Sequence, residues 1–308
     1  MKKIILIITS IFLILIVGCS NGEGPSVSIT DNDIHTGTEG LSFKFGEKTP
    51  PPLVYATDNF PIGVEIKNKG AFDVQNGYLL LNIEEDLLEL DQGNQRSKVD
   101  LEGKSLSNPE GDEEVFRFNV ISRELGKVTE TITTTMLATL CYKYQTDVNV
   151  DVCVDTDFYN TREIEKACDA KDESFTSGQG APIAVTRIES KILEENEIIK
   201  PHFTIYLRNK GQGEVINQNS VDNACSASTI GDSQLNYLNV NVNLGDMQSQ
   251  LTCKPNQIKL KDDAEIIRCT LDEGVDKSIQ PYTTVLNIKL DYGYIETISK
   301  SVQIRENR

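Results

Sequence analysis

The chain has 308 residues, with 30 basic and 47 acidic side chains for a formal charge of −17, no Trp, and ten each of Phe and Tyr. So negative a field argues against nucleic acid and anionic lipid surfaces and favours cations, basic proteins or solvent, while few aromatics argue against a stacked sugar platform. About 270 residues beyond the first forty suit two domains with a core each.

Lys2 and Lys3 precede an apolar run from Ile4 to Val17, interrupted only by Thr9 and Ser10. This is the layout of a secretory signal, and it is shorter than the roughly 20 apolar residues a spanning helix needs. The run closes with Ile16-Val17-Gly18-Cys19, which resembles the lipobox of prokaryotic lipoproteins. The resemblance implies removal of a signal peptide at residues 1–18, attachment of diacylglycerol to Cys19, and a membrane-anchored, extracytoplasmic chain. That mature chain would hold 28 basic and 47 acidic side chains. Residues 20–38, SNGEGPSVSITDNDIHTGT, hold too few large apolar groups to order themselves, so 19–38 reads as a lipidated cysteine and flexible spacer.

Period-two alternation follows. Ile62, Val64 and Ile66, then Leu79, Leu81 and Ile83, then Phe116, Phe118 and Val120 each mark a strand with one wet face. EEDLLELDQGNQ, residues 84–95, reads as an acidic loop. In TTTMLATLCYKYQTDVNVDVCVDTD, a hairpin is expected with a loop at Thr146, Asp147 and Val148. That register opposes Tyr142 to Val152, Lys143 to Asp151, and Cys141 to Cys153, within reach of a disulfide. Asp147, Asp151, Asp155 and Asp157 share its other side; calcium needs six to eight converging oxygens, so they read as a solvated face and no metal is expected. Thr161 could cap a short helix reaching Cys168.

DESFTSGQGAPIAV, residues 172–185, breaks regular pairing at Gly178, Gly180 and Pro182 and sets a boundary: domain 1 at 39–171, a linker at 172–182 and domain 2 at 183–308. In domain 2 the alternation resumes at Phe203, Ile205 and Leu207, at Leu235, Leu238 and Leu244, and at Leu286, Ile288 and Leu290. An internal repeat supports the division: VEIKNKGAFDVQNG from Val64 and IYLRNKGQGEVINQ from Ile205 each end a strand with Asn-Lys-Gly. Positive φ at Gly70 and Gly211 is the expected reason for the glycine. Short strands between turn-rich loops predict an all-β chain of two tandem antiparallel sandwiches.

The strand-Asn-Lys-Gly repeat resembles the CARDB family of prokaryotic surface proteins, and the whole layout looks like archaeal surface lipoproteins. The resemblance implies immunoglobulin-like or fibronectin type III-like modules used for display and adhesion, with no catalytic residues to transfer. Beside Cys19, the six remaining cysteines form an even set in a secreted chain. The expected bonds are Cys141 with Cys153, Cys253 with Cys269 and Cys168 with Cys225, with Cys153 to Cys168 as the competing choice. His35 falls in the spacer and His202 on a wet face, and neither GxSxG nor HExxH occurs. The expected function is therefore non-enzymatic and without cofactor: binding an envelope protein or polymer, or scaffolding the envelope. The alternatives are a subunit of an envelope filament and an accessory or catalytic lipoprotein acting on an envelope polymer.

Overall fold

The computed structural model describes residues 31–307 except 92, 127–129, 227–230, 246–248 and 256. Cys19, the signal segment and most of the expected spacer lie outside the described residues. Residues 31–308 form one compact unit. Its first half contains α1 (Asp31–Ile34), β1 (Leu41–Phe45), β2 (Leu53–Tyr55), β3 (Asn59–Asn68), β4 (Val74–Asn82), β5 (Leu88–Leu90), β6 (Arg96–Leu101), β7 (Glu113–Ser122) and β8 (Thr131–Val154). Its second half contains β9 (Glu173–Ser174), β10 (Ile183–Glu195), β11 (Ile198–Asn209), β12 (Glu214–Ile216), α2 (Val221–Ala224), β13 (Tyr237–Leu244) and β14 (Ser249–Gln250). It continues through β15 (Thr252–Lys254), β16 (Ile258–Lys259), β17 (Ala264–Thr270), β18 (Val275–Asp276) and β19 (Tyr282–Arg305).

The fold is all-β and its sheets are antiparallel apart from β2, which joins β19 in parallel. A four-stranded sheet, β1-β3-β7-β5, is built from the first half alone, and a six-stranded sheet, β15-β17-β11-β10-β9 with β18 on β11, from the second. The third sheet belongs to both. Its path is β14-β13-β19-β8-β4-β6, and at its centre β8 and β19 pair antiparallel along all 24 residues. Ile62, Val64 and Ile66 of β3, Phe203, Ile205 and Leu207 of β11, Met136 to Tyr144 at even positions of β8, and Leu286 to Tyr294 at even positions of β19 belong to one continuous core. The two halves are thus lobes of a shared sheet rather than separate sandwiches in a row.

The expected hairpin does not form. Gln145, Thr146 and Asp147 continue β8, opposite Asp291, Leu290 and Lys289 of β19. Even-numbered side chains stay inward from Met136 to Val154 with no change of phase, which one unbroken strand explains without a turn. Residues 172–182 are no free linker either: Glu173 and Ser174 pair with β10, Gly178 bridges Gly37, and Gln179 and Ala181 are buried. The same bridge orders the end of the expected spacer, where Ile34 is buried beneath the turn α1. Leu88 of the expected acidic loop is buried in β5.

The Asn-Lys-Gly repeat has a different cause from the one expected. Neither Gly70 nor Gly211 has positive φ. A Cβ on Gly70 would collide with the Tyr144 hydroxyl and the Gly180 carbonyl, and one on Gly211 with the Tyr294 hydroxyl. Each asparagine ties the turn: Asn68 Oδ1 accepts from Gly70 N at 3.1 Å and its Nδ2 donates to Phe72 O at 2.9 Å. Asn209 repeats this with Gly211 N at 3.1 Å and Gly213 O at 2.8 Å. Tyr144 Oη accepts from Phe72 N at 3.3 Å, as Tyr294 Oη does from Gly213 N at 2.9 Å. Tyr142 Oη accepts from Leu41 N, and Tyr292 Oη from Ile183 N. The four tyrosines cluster around the Lys143–Gly293 pair, the midpoint of a local two-fold relation between the halves.

Candidate functional site

The cysteines draw attention to the free end of β8. Cys153 is bonded to Cys168, the competing choice, while Cys141 is bonded to Cys225 and Cys253 to Cys269. Cys141 cannot reach Cys153, because both lie on one extended strand twelve residues apart, about 40 Å at strand rise. Cys168 is committed to Cys153, so the expected Cys168–Cys225 clamp is also absent. Cys225 instead staples the segment around α2 onto the outer face of the shared sheet, where Cys141, Ile216, Val221 and Cys225 form a small second core. Three disulfides mark a fold made for an oxidising compartment. Among the described residues no helix is long and apolar enough to cross a membrane.

The Cys153–Cys168 bond closes a loop without the helix expected at 161–168. Its order comes from carboxylates that the strand pattern assigned to a solvated face. Asp155 and Asp157 follow the end of β8, where alternation no longer governs direction, and both are buried. Lys166 Nζ lies 2.9 Å from Asp155 Oδ2, with 12% and 3% side-chain exposure. Asp157 accepts from Thr161 N at 2.8 Å, Thr161 Oγ1 at 2.9 Å and Arg162 N at 3.1 Å. Burial opposes the charge of Asp157, but these donors and the Arg162 charge hold its pKa below the ordinary aspartate value. Arg162 then crosses to the neighbouring segment, donating from Nη1 to Lys277 O at 2.6 Å and from Nη2 to Thr156 Oγ1 at 2.8 Å. Thr156 Oγ1 donates to Ile279 O at 2.5 Å.

On this braced base stand Phe158 and Tyr159, 38% and 65% exposed, in edge contact at 5.3 Å between ring centroids. Ile279 and Tyr282 of the bonded neighbouring segment are exposed as well. An apolar tip on a polar protein, held by a disulfide and a buried ion pair, is suited to recognition. Its outermost side chains are aromatic, and the charged groups beneath them are committed to holding the loop. Strand periodicity missed it, although adjacent aromatics inside the polar stretch DTDFYNT were its visible signal.

The other singled-out residues do not join it. Asp147 lies beside Asn149, Asn287 and Lys289 on the shared sheet, and Asp151 is exposed there. His202 Nδ1 is 2.7 Å from Thr270 Oγ1, and burial together with the Arg268 and Lys191 charges lowers its pKa. His35 sits far back along the fold, in a depression with Asp147, Phe175 and Gln179. Among the described residues no group of three or more His, Cys, Asp or Glu could hold a metal ion.

No family model and no curated protein matches the chain. Among solved structures, the secreted serine protease VesC from Vibrio cholerae aligns with a TM-score of 0.21 and 8% identity over 85% of this chain and 51% of that one. The chain thus spans about half the length of that protein. The partial N-terminal region of the enterococcal surface protein aligns at 0.20, with 10% identity over 83% of this chain and 84% of that one. A DUF4466 family protein from Parabacteroides merdae aligns at 0.16, with 10% identity over 82% and 99%. Likeness at this level assigns neither family nor activity.

Proposed function

We propose that the protein is an extracytoplasmic, lipid-anchored surface protein that binds a partner through the Phe158–Tyr159 tip and catalyses no reaction. The carrying observation is the tip itself: the Cys153–Cys168 bond, the Asp155–Lys166 pair and the Arg162 crosslink rigidify a loop whose outermost residues are exposed aromatics. Rigid aromatic side chains contribute much contact area for little ordering entropy, which is what a recognition surface requires. Support for the compartment comes from the three disulfides, and for the anchor from the Ile16-Val17-Gly18-Cys19 segment. In this reading each lobe is an immunoglobulin-like or fibronectin-like module of the CARDB kind, duplicated and fused through β8 and β19.

Two measurements test it. The mass of the mature N-terminus should correspond to a chain starting at a diacylated Cys19; an unmodified cysteine, or a different start, removes the anchor. Cross-linking of the full chain in whole envelopes should capture the same envelope component repeatedly, and Tyr159→Ala should abolish that capture. Undiminished capture by the variant would move the binding surface elsewhere.

A further inference from the structure

The outer face of the second lobe's six-stranded sheet runs against the charge of the molecule. Phe203, Ile205 and Leu207 point into the core, so His202, Thr204, Tyr206 and Arg208 of β11 point out. The register brings Lys191 of β10 beside His202, Arg268 of β17 beside Thr204, and Lys254 of β15 directly opposite Arg268. Arg187, also on this face, is neutralised by Asp172 at 2.7 Å and Glu189 at 3.2 Å, and Lys191 approaches Glu189 only at 4.0 Å. Arg268, Lys254, Arg208 and Lys210 have no ion-pair partner among the described residues.

Directly opposed like charges weaken a strand pair. The Lys254–Arg268 pair is such an arrangement; the neighbouring Cys253–Cys269 bond holds the two strands together, but no carboxylate pairs with either cation among the described residues. The pKa of His202, beside Lys191 and near Arg268, is lowered by burial first and by these two charges second. At the waist end, Arg208 and Lys210 border a cleft of about 540 Å³ floored by Ala184, Tyr206 and Ile266. Its one carboxylate, Glu265, is turned back onto Ile266 N at 2.9 Å. Strands stand about 4.8 Å apart and alternate residues about 6.7 Å along each, so the cations spread over about 14 Å across four strands and about 20 Å along them.

We propose that this face is a docking track for a linear acidic polysaccharide, which deepens the binding reading above by naming a second partner class. Its carboxylates would neutralise Lys254, Arg268, Lys191 and Arg208, and the ring of Tyr206 and the hydroxyls of Thr252 and Thr270 suit sugar contacts. A broad anionic bilayer fits worse: Glu195 and Asp276, both opposite Ile198 on the outward parity, stand at the far end of the same sheet and would face it. A single polymer chain passes between these carboxylates and the waist.

The test uses the full chain in neutral detergent with polygalacturonate as probe and uncharged dextran as control. Polygalacturonate should bind at low salt and be released as salt rises, while dextran does not bind. The variant Lys254→Glu/Arg268→Glu should lose at least tenfold in affinity, whereas Lys48→Glu/Lys300→Glu, two exposed lysines outside the six-stranded sheet with the same change in net charge, should bind as the wild type does. Polymer should also raise the pKa of His202, read from its ring signals, because a nearby anion favours the imidazolium. The proposal is overturned by no binding at low salt, by equal losses in the two variants, or by full affinity in Lys254→Glu/Arg268→Glu, as when Lys254 merely guards a sheet edge. It is also overturned if phosphatidylglycerol in mixed micelles shifts His202 and polymer does not. Lost polymer binding with an intact diacylated N-terminus and intact envelope capture counts against this track alone.

Discussion

Tyr144 and Tyr294 stand 150 residues apart and do equivalent work: each lays its hydroxyl on the turn of its own half, against Asn68 and Asn209 respectively, so closely that only glycine fits at positions 70 and 211. Replacing Gly70 or Gly211 by Ala should therefore destabilise the fold by about 1–3 kcal/mol, the cost of overpacking a filled site. Tyr144→Phe should cost about as much by leaving Phe72 N and Asn68 Oδ1 short of a partner. Denaturant midpoints check both. A Gly70→Ala protein as stable as the parent would show that the tyrosine can move aside.

The disulfides predict a peptide map. Non-reducing digestion should yield linked peptides for Cys141–Cys225, Cys153–Cys168 and Cys253–Cys269. A Cys141–Cys153 peptide would require β8 to fold back as a hairpin. Removing Cys141–Cys225 by paired Ala substitution should cost about 4–5 kcal/mol, since its ends lie 84 residues apart and loop entropy grows with length.

The base of the tip is acid-sensitive. The pKa of Asp157 is lower folded than unfolded, so its contribution is present above about pH 4, the ordinary aspartate range, and is lost as pH falls through the lower folded value. Proteolysis within 155–168 should accelerate in that acid range before the rest of the chain opens. Asp157→Asn should remove the pH dependence. Asp155→Ala should cost about 3 kcal/mol at neutral pH, the low end for a broken buried pair, because Lys166 loses its close partner and keeps only the exposed Asp169 at 3.8 Å.

Tyr159→Ala should leave the unfolding midpoint within about 0.5 kcal/mol of the parent, because the side chain is 65% exposed. Loss of envelope capture without loss of stability would mark it as a contact residue. A variant that unfolds early would instead place Tyr159 in the support of the loop.

Inward and outward positions were legible in the sequence; connectivity was less so. Met136 to Val154 alternate without a break, and Gln145-Thr146-Asp147 carries neither Gly nor Pro to turn the chain, yet a 24-residue strand lies far outside ordinary lengths and a hairpin was the natural expectation. The reason for Gly70 lay in a hydroxyl 74 residues further on, which no local pattern displays. Asp155 and Asp157 kept the odd parity of a wet face, but parity ceases to matter once the strand ends at Val154. The polar end of the expected spacer is ordered by Gly178, more than a hundred residues away. Net charge, finally, conceals its own distribution: a chain at −17 still gathers Lys254, Arg268 and Lys191 onto one face.

Because β8 and β19 pass through both lobes, the molecule has no hinge at its waist. The described chain starts close to Gly37, where His35 shares a depression with Asp147 of β8, and Phe158 lies beyond the end of that strand at Val154, seven residues or about 23 Å of strand further on. A pull between these points would run along the strand axis, loading the β8–β19 hydrogen bonds together in shear instead of peeling them one by one. Bonds loaded in this way resist extension along the strand axis better than bonds that open singly, and the two long strands stiffen the molecule along that axis.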